Sequence, residues 1–298
     1  MNPPACPEEA GVGGPLLAFR NVSKQYAGFT LDNVSFSLPR GYIGGLIGPN
    51  GAGKTTIVKL LLNLVHRDSG EIDVAGMDPA RQEVAVKQRL GFVHEAPSYY
   101  DHLSLDAIGA FVGRFYPTWD AARYASLLRA FDLPSRQRFG LLSRGMRTKG
   151  ALALALAHRA ELLVLDEPTA GLDPVFRRSL IEQLAEYVSD GRASVLLSTH
   201  ITSDLERIAD FITFVRAGRL VLSATRDELA RQWAIVRGGP ELLHDETRKL
   251  LAGYESGPHG VAALTPDAPA LRRKLARQSV LVEPATLEDI MYYAGRSC

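Results

Sequence analysis

Residues 48–56 read GPNGAGKTT. The stretch fits G-x-x-x-x-G-K-[ST], with Gly48, Gly53, Lys54 and Thr55 in the fixed places. A triphosphate must be surrounded by backbone N–H groups, and Cβ atoms block that approach. Gly48, Gly51 and Gly53 remove them, with Asn50 and Ala52 completing the cradle. Before the loop, GYIGGLI is a short apolar run of strand type; after it, TTIVKLLLNLV carries apolar residues on helical spacing. The loop therefore feeds a helix N-terminus, whose free N–H groups and dipole favour anions. In such a loop Lys54 reaches the β- and γ-phosphates, the Thr55 hydroxyl ligates Mg²⁺, and Thr56 faces the α-phosphate. A glycine-rich turn with a chance lysine is the plain alternative, and the strand-before, helix-after setting argues against it.

A hydrolysed nucleotide needs a carboxylate site as well. LLVLDEP, residues 162–168, supplies one: four apolar residues mark a buried strand, and Asp166 stands at its end. Asp166 can hold Mg²⁺ through water, and Glu167 can polarise the attacking water. An acidic turn after a strand is common, but here it follows a phosphate loop.

Outward from these motifs, LLAFRNVSKQY and FTLDNVSFSL alternate apolar and polar residues at period two, as strands do. DSGEIDVAGMD reads as turn, strand and turn. Residues 98–142 are helical in period, with Ser104 and Asp120 as candidate N-caps, and read as a helical insert. ELLVLDEP, SVLLSTH and FITFVRAGRLVL read as three strands separated by helices, which implies a mostly parallel sheet. From about residue 226 the pattern weakens into loops between short elements. No internal repeat is visible.

Composition narrows the class. The chain has 298 residues, 46% hydrophobic and 22% charged, enough for a sizeable core. A net charge of +1, from 34 basic and 33 acidic residues, gives no general pull toward nucleic acid or anionic lipid. Cys6 and Cys298, one near each end, read as incidental thiols. No apolar run approaches the roughly 18 residues of a membrane span; GALALALAH is about half that. Residues 1–15 lack a signal-peptide pattern and read as a flexible tail.

LSRGM, residues 142–146, lies about 20 residues before the Asp166–Glu167 pair. It resembles the LSGGQ signature of ATP-binding cassette (ABC) ATPases: Ser143 and Gly145 match, while Arg144 and Met146 replace Gly and Gln. AGLDP, with Asp173, is similar to the family's D-loop. His200, after SVLLST, is similar to its switch histidine, and Tyr26, after VSKQ, to the aromatic that stacks on adenine. The resemblance covers residues 16–225, with five motifs in the family's order. Where the family often carries a Gln that contacts Mg²⁺ and the transporter, this chain has Glu95. That carboxylate either binds the metal with added negative charge or is a solvated loop residue. RFYPTWD and ATLEDIMYY resemble ATPase subunits of bacterial exporters of peptide antibiotics. Arg272, Arg273, Lys274 and Arg277 form a basic cluster, read as a solvated helix face or a partner or lipid contact.

The resemblance implies an α/β fold: a P-loop NTPase core of ABC ATPase type, mostly parallel, with an antiparallel β subdomain at the N-terminus. The ATPase domain would span 16–225, with a helical subdomain at about 98–160 and a C-terminal extension at 226–298. It further implies ATP and Mg²⁺ as ligands, and hydrolysis by Glu167, His200 and Lys54. Ser143, Gly145 and Asp173 would face the nucleotide of a second copy or a related ATPase, with the signature at the start of a helix near Arg147. The partner expected is an integral-membrane permease, which would place the chain in the cytoplasm, peripheral on the inner face of the membrane. No nucleic acid is expected. The alternative is a soluble ABC ATPase with a regulatory role. Ribosome-acting relatives carry two cassettes in one chain, and DNA-organising ones separate the motifs by a coiled coil; neither pattern is present.

Overall fold

Residues 14–169, 171–258, 260–275 and 280–294 are described by this computed structural model. The expected tail at 1–15 falls outside them up to residue 13, as do Cys6, Cys298 and Arg277. The period-two runs form β1 (Leu17–Tyr26) and β2 (Phe29–Leu38), an antiparallel pair. Phe19 and Phe36 stack inside it at 4.8 Å. The apolar run before the phosphate loop is β3 (Ile43–Ile47), buried throughout, and the loop runs into α1 (Lys54–Leu61). β4 (Ser69–Val74) adds to the other side of β1. α2 (Glu83–Arg89) and β5 (Leu90–Val93) follow, neither of them evident from periodicity because both are short.

The helical insert contains α3 (Leu105–Val112) and α4 (Ala121–Ala130), capped by Ser104 and Asp120 as their sequences suggest. α5 (Arg144–Ala157) packs against both. Its start is a correction: Ser143 is the N-cap and the helix begins at Arg144, not near Arg147. A Ser hydroxyl accepting from the N–H three residues on satisfies an otherwise free donor, so the signature itself sets the start. The run from Gly150 to Ala157 is buried on all sides, which accounts for its unbroken apolar character. Among the described residues no helix is long and apolar enough to cross a membrane.

β6 (Leu162–Asp166), α6 (Pro174–Val188), β7 (Ser194–Thr199) and α7 (Thr202–Ile208) complete the alternation. FITFVRAGRLVL forms two strands, not one: β8 (Phe211–Arg216) and β9 (Arg219–Thr225) make an antiparallel hairpin about Ala217–Gly218. Both turn residues have positive φ, 47° and 75°, and the glycine inside an apolar run was the turn signal. The nine strands form one sheet in the order β4-β1-β2-β9-β8-β3-β7-β6-β5. From β8 through β3, β7 and β6 to β5 every pairing is parallel; the β4-β1-β2 arm is antiparallel. This is the mostly parallel core with an antiparallel β subdomain that the sequence implies.

Beyond it lie α8 (Arg226–Gln232), β10 (Ala234–Gly238), α9 (Asp245–Arg248), β11 (Gly253–Gly257), β12 (Gly260–Thr265), α10 (Ala268–Lys274), β13 (Leu281–Pro284) and α11 (Leu287–Tyr293). Where the sequence suggests loops between short elements, the four strands form an antiparallel sheet in the order β11-β12-β10-β13. With its helices this is a split βαβ arrangement. One face holds its own core of Val236, Val261, Ala263, Leu271 and Leu275. The other, through Ile235, Leu264, Leu287 and Ile290, joins the core cluster that contains Leu205 and Ile208 of α7.

Candidate functional site

Parallel strands deliver their carboxyl ends to one edge of the sheet, and ligands of open α/β sheets bind there. β3, β7 and β6 are neighbours in register, with Ile47 beside Thr199 and Asp166 beside Ser198. The phosphate loop, the Asp166–Glu167 pair and the Thr199–His200 turn therefore meet although they are far apart in the chain. At this edge lies a cleft of about 350 Å³ lined by residues 49–56 together with Phe29, Glu95 and Glu167.

The loop is tightly seated. A Cβ on Gly48 would lie 2.2 Å from Val215 O on β8, so no larger residue fits that packing. Ala52 O accepts from Gly218 N at 2.9 Å, so the β8–β9 turn braces the loop from behind. Lys54, 6% exposed, donates to Gly48 O at 2.7 Å and stands 3.7 Å from Glu167 Oε1. Thr55 and Thr56 lie in the first turn of α1 and face the cleft.

Glu167 is buried and held from several sides. Its Oε2 lies 2.9 Å from His200 Nδ1 and accepts from Thr199 Oγ1 at 3.3 Å and from His200 N at 3.4 Å. Its φ is +49°, an uncommon conformation for a residue with a side chain, costing about 1–2 kcal/mol. Its N–H donates to Ser198 O at 2.8 Å, which fixes that turn. Such strain concentrates where geometry serves function.

Asp166 is 3% exposed, and its Oδ1 has no hydrogen-bond partner among the described residues. Burial pushes its carboxyl above the usual carboxylate range, with Glu167 and Glu95 pushing the same way and Ser198 and His94 opposing. A buried carboxylate oxygen without a donor is costly, and a cation or its water would relieve it. Among the described residues no three His, Cys, Asp or Glu side chains form a metal cage. Mg²⁺ needs none, since one or two carboxylates with phosphates and waters suffice. The donor set fits that ion.

Glu95 sits at the rim of the cleft, more than half exposed, with its Oε1 3.7 Å from Arg144 Nη2. Four other candidates stand outside the cleft. Ser143 caps α5, accepting from Met146 N at 3.3 Å, and Gly145 lies in the first turn of that helix. Asp173 caps α6, accepting from Phe176 N at 2.8 Å, and this bond lowers its carboxyl below the usual range. Tyr26, at the end of β1, lies 6.5 Å from Phe29 between ring centroids. It is Phe29 that lines the cleft, a residue the motifs do not mark; its place directly after the β1–β2 turn, opposite Tyr26, becomes visible only once that hairpin is known. Gly218 carries no motif either, since FITFVRAGRLVL reads as one strand until the β8–β9 pairing is seen.

A model of the ABC transporter family matches residues 31–170. The lantibiotic transport ATP-binding protein SrtF of Streptococcus pyogenes is 34% identical over 217 residues, covering 71% of this chain and 92% of the relative. Nod factor export ATP-binding protein I of Burkholderia lata is 31% identical over 289 residues, covering 92% of this chain and 95% of the relative, so the likeness continues into the C-terminal sheet. A solved structure of an ATP-binding subunit of an ABC transporter superposes with a TM-score of 0.68 at 31% identity, over 73% of this chain and 92% of that one. The chain belongs to the ABC transporter family. It is an ATP-binding subunit and an ATPase of that family.

Proposed function

We propose that this chain drives export through a separate membrane permease, closing with a second copy or a related ATPase around two ATP molecules. The observation that carries the reading is the set around Glu167, with Lys54 on one oxygen and His200 on the other, at the mouth of the phosphate-loop cleft. Glu167 accepts the proton of the attacking water, and His200 Nδ1 with Thr199 Oγ1 holds that carboxylate in line. Lys54 turns from Gly48 O toward the phosphates and neutralises their charge. Thr55 and, through water, Asp166 would hold Mg²⁺, with Glu95 as a further candidate ligand, and the bound ion would further neutralise the charge of the phosphates. Tyr26 and Phe29 offer the ring faces for adenine.

Ser143, Gly145 and Asp173 stand outside their own chain's cleft, at exposed helix starts. That placement supports their meeting the nucleotide of a facing copy, where a helix N-terminus suits an anion. The helical subdomain at about 98–160 carries exposed Tyr100, Phe111 and Phe115, whose rings contact edge to face at 6.3 and 5.4 Å between centroids. An aromatic patch of this kind suits burial by a permease. Export is favoured because SrtF and the Nod factor protein bear transport and export names. On this reading the chain works on the cytoplasmic face of its membrane. The ATPase domain is taken as 16–225 and the extension as 226–298.

Glu167→Gln tests the reading. The variant should bind ATP as tightly as the parent, lose hydrolysis by at least about a hundredfold, and accumulate as an ATP-bound dimer on size exclusion. Turnover at the parental rate would remove Glu167 from the role of base.

A further inference from the structure

Two positions at which this chain departs from the family pattern meet in space. Arg144 stands where the signature has Gly, and Glu95 where the family often has Gln. Arg144 opens α5, which packs on the helical insert, whereas Glu95 follows β5 of the sheet, 49 positions earlier. Their side chains nevertheless form an ion pair at 3.7 Å, the one pair Glu95 has among the described residues. The Arg144 stem also lies beside Gly171, in the turn before Asp173.

The other charged groups near Glu95 do not serve it. His94 Nδ1 is engaged with Ala96, and Lys54 is committed to Gly48 O and Glu167. Asp166 and Glu167 are themselves acidic. Glu95 therefore brings a third carboxylate to a cleft built for a polyanion, and Arg144 is the cation that faces it.

We propose that Arg144 is a positioning residue for nucleotide binding: it holds the Glu95 carboxylate at the cleft rim and cancels its charge, tying the start of α5 to the loop after β5. The proposal rests on the reading of this cleft as the ATP site. Without Arg144, Glu95 repels the triphosphate. With Glu95 neutral, Arg144 is no longer needed for affinity. Glycine at 144 and Gln at 95 form an uncharged combination that needs no such partner.

The test is ATP affinity by calorimetry in the absence of Mg²⁺, so that turnover does not intervene. Wild type, Arg144→Gln, Glu95→Gln and the double variant are compared at low and high salt. Both side chains are more than half exposed, so the substitutions leave folding intact. Arg144→Gln should weaken ATP about threefold to tenfold at low salt, and clearly less at high salt. Adding Glu95→Gln should return affinity to the wild-type value, and Arg144→Lys should retain most of it. A defect that persists in the Glu95→Gln background overturns the proposal. So does unchanged ATP affinity of Arg144→Gln at low salt; a loss of Mg²⁺-ATP turnover in that variant, assayed separately, would then assign Arg144 to the facing copy's nucleotide. Failure of the wild-type chain to bind ATP would overturn the underlying site reading, and the proposal with it.

Discussion

His158 closes α5, 2% exposed, with its ring stacked on Tyr116 at 3.9 Å. Its backbone carbonyl accepts from Thr118 Oγ1. Burial pulls its imidazole down to about 4, so the folded chain keeps it neutral where the unfolded chain takes a proton. A folded pKa below the unfolded one gives stability that is complete above the unfolded value and lost as pH falls through the window to about 4. Between pH 7 and pH 5 this one group should remove about 2 kcal/mol. Urea unfolding at both values checks it: wild type should lose about 2 kcal/mol more than His158→Gln over that range. Equal losses would show that another group governs the acid limb. The sequence marks His158 only as a polar end to an apolar run; the burial that shifts it comes from Tyr116, 42 positions away. Lys54, Asp166 and Glu167 differ in this respect: local motifs mark them as candidates, because a phosphate loop and a strand-end carboxylate pair put particular atoms at short spacing. His200 is marked only by its place in the family's order of motifs. Phe29 and the Arg144–Glu95 pair carry no local signature, since each depends on chain segments meeting through the sheet.

At the scale of elements, the β8–β9 hairpin has the largest consequence that the sequence reading missed. Its turn supports the phosphate loop through Gly218 N and Ala52 O. A Cβ on Gly218 would fall 1.8 Å from Thr30 O, at a φ of +75°. Gly191, with nearly the same φ of +72°, has nothing within 4 Å of such a Cβ. The two positions separate backbone strain from overlap. Gly191→Ala should cost about 1 kcal/mol. Gly218→Ala should cost about 3 kcal/mol or more and also weaken ATP binding, as read by denaturant melts and calorimetry. Similar costs at the two sites, with ATP affinity unchanged, would mean that the hairpin does not brace the loop. The strands and helices flanking the motifs were legible because their apolar period matched their geometry. The hairpin was not: β8 is buried almost throughout, β9 is mostly half-buried, so neither shows a clean alternation that would mark the two-residue turn between them.

At the scale of the molecule, the C-terminal sheet is joined to the ATPase core by a shared apolar cluster. Leu287 and Ile290 of α11 pack into the cluster that holds Leu205 and Ile208, and Leu287 N donates to Glu206 Oε1 at 2.9 Å. The helix they cover, α7, begins two residues after His200. A chain ending at residue 225 should therefore melt about 10 °C lower, from the loss of roughly 4 kcal/mol of apolar burial. An unchanged melting temperature would show that the sheet is an independent unit.

The sequence marks the candidate chemistry of this protein, a phosphate loop followed by a carboxylate pair, each written in a few adjacent residues. It also determined the order of strands and helices that makes a parallel sheet, because hydrophobic period and turn residues act locally. It takes the folded chain to show that Phe29 lines the cleft, that Gly218 stands behind Ala52, that Arg144 faces Glu95, and that β10 to β13 form a sheet joined to α7. These are contacts between distant segments. They follow from strand order and from which faces the core buries, and neither is encoded at any one place in the chain.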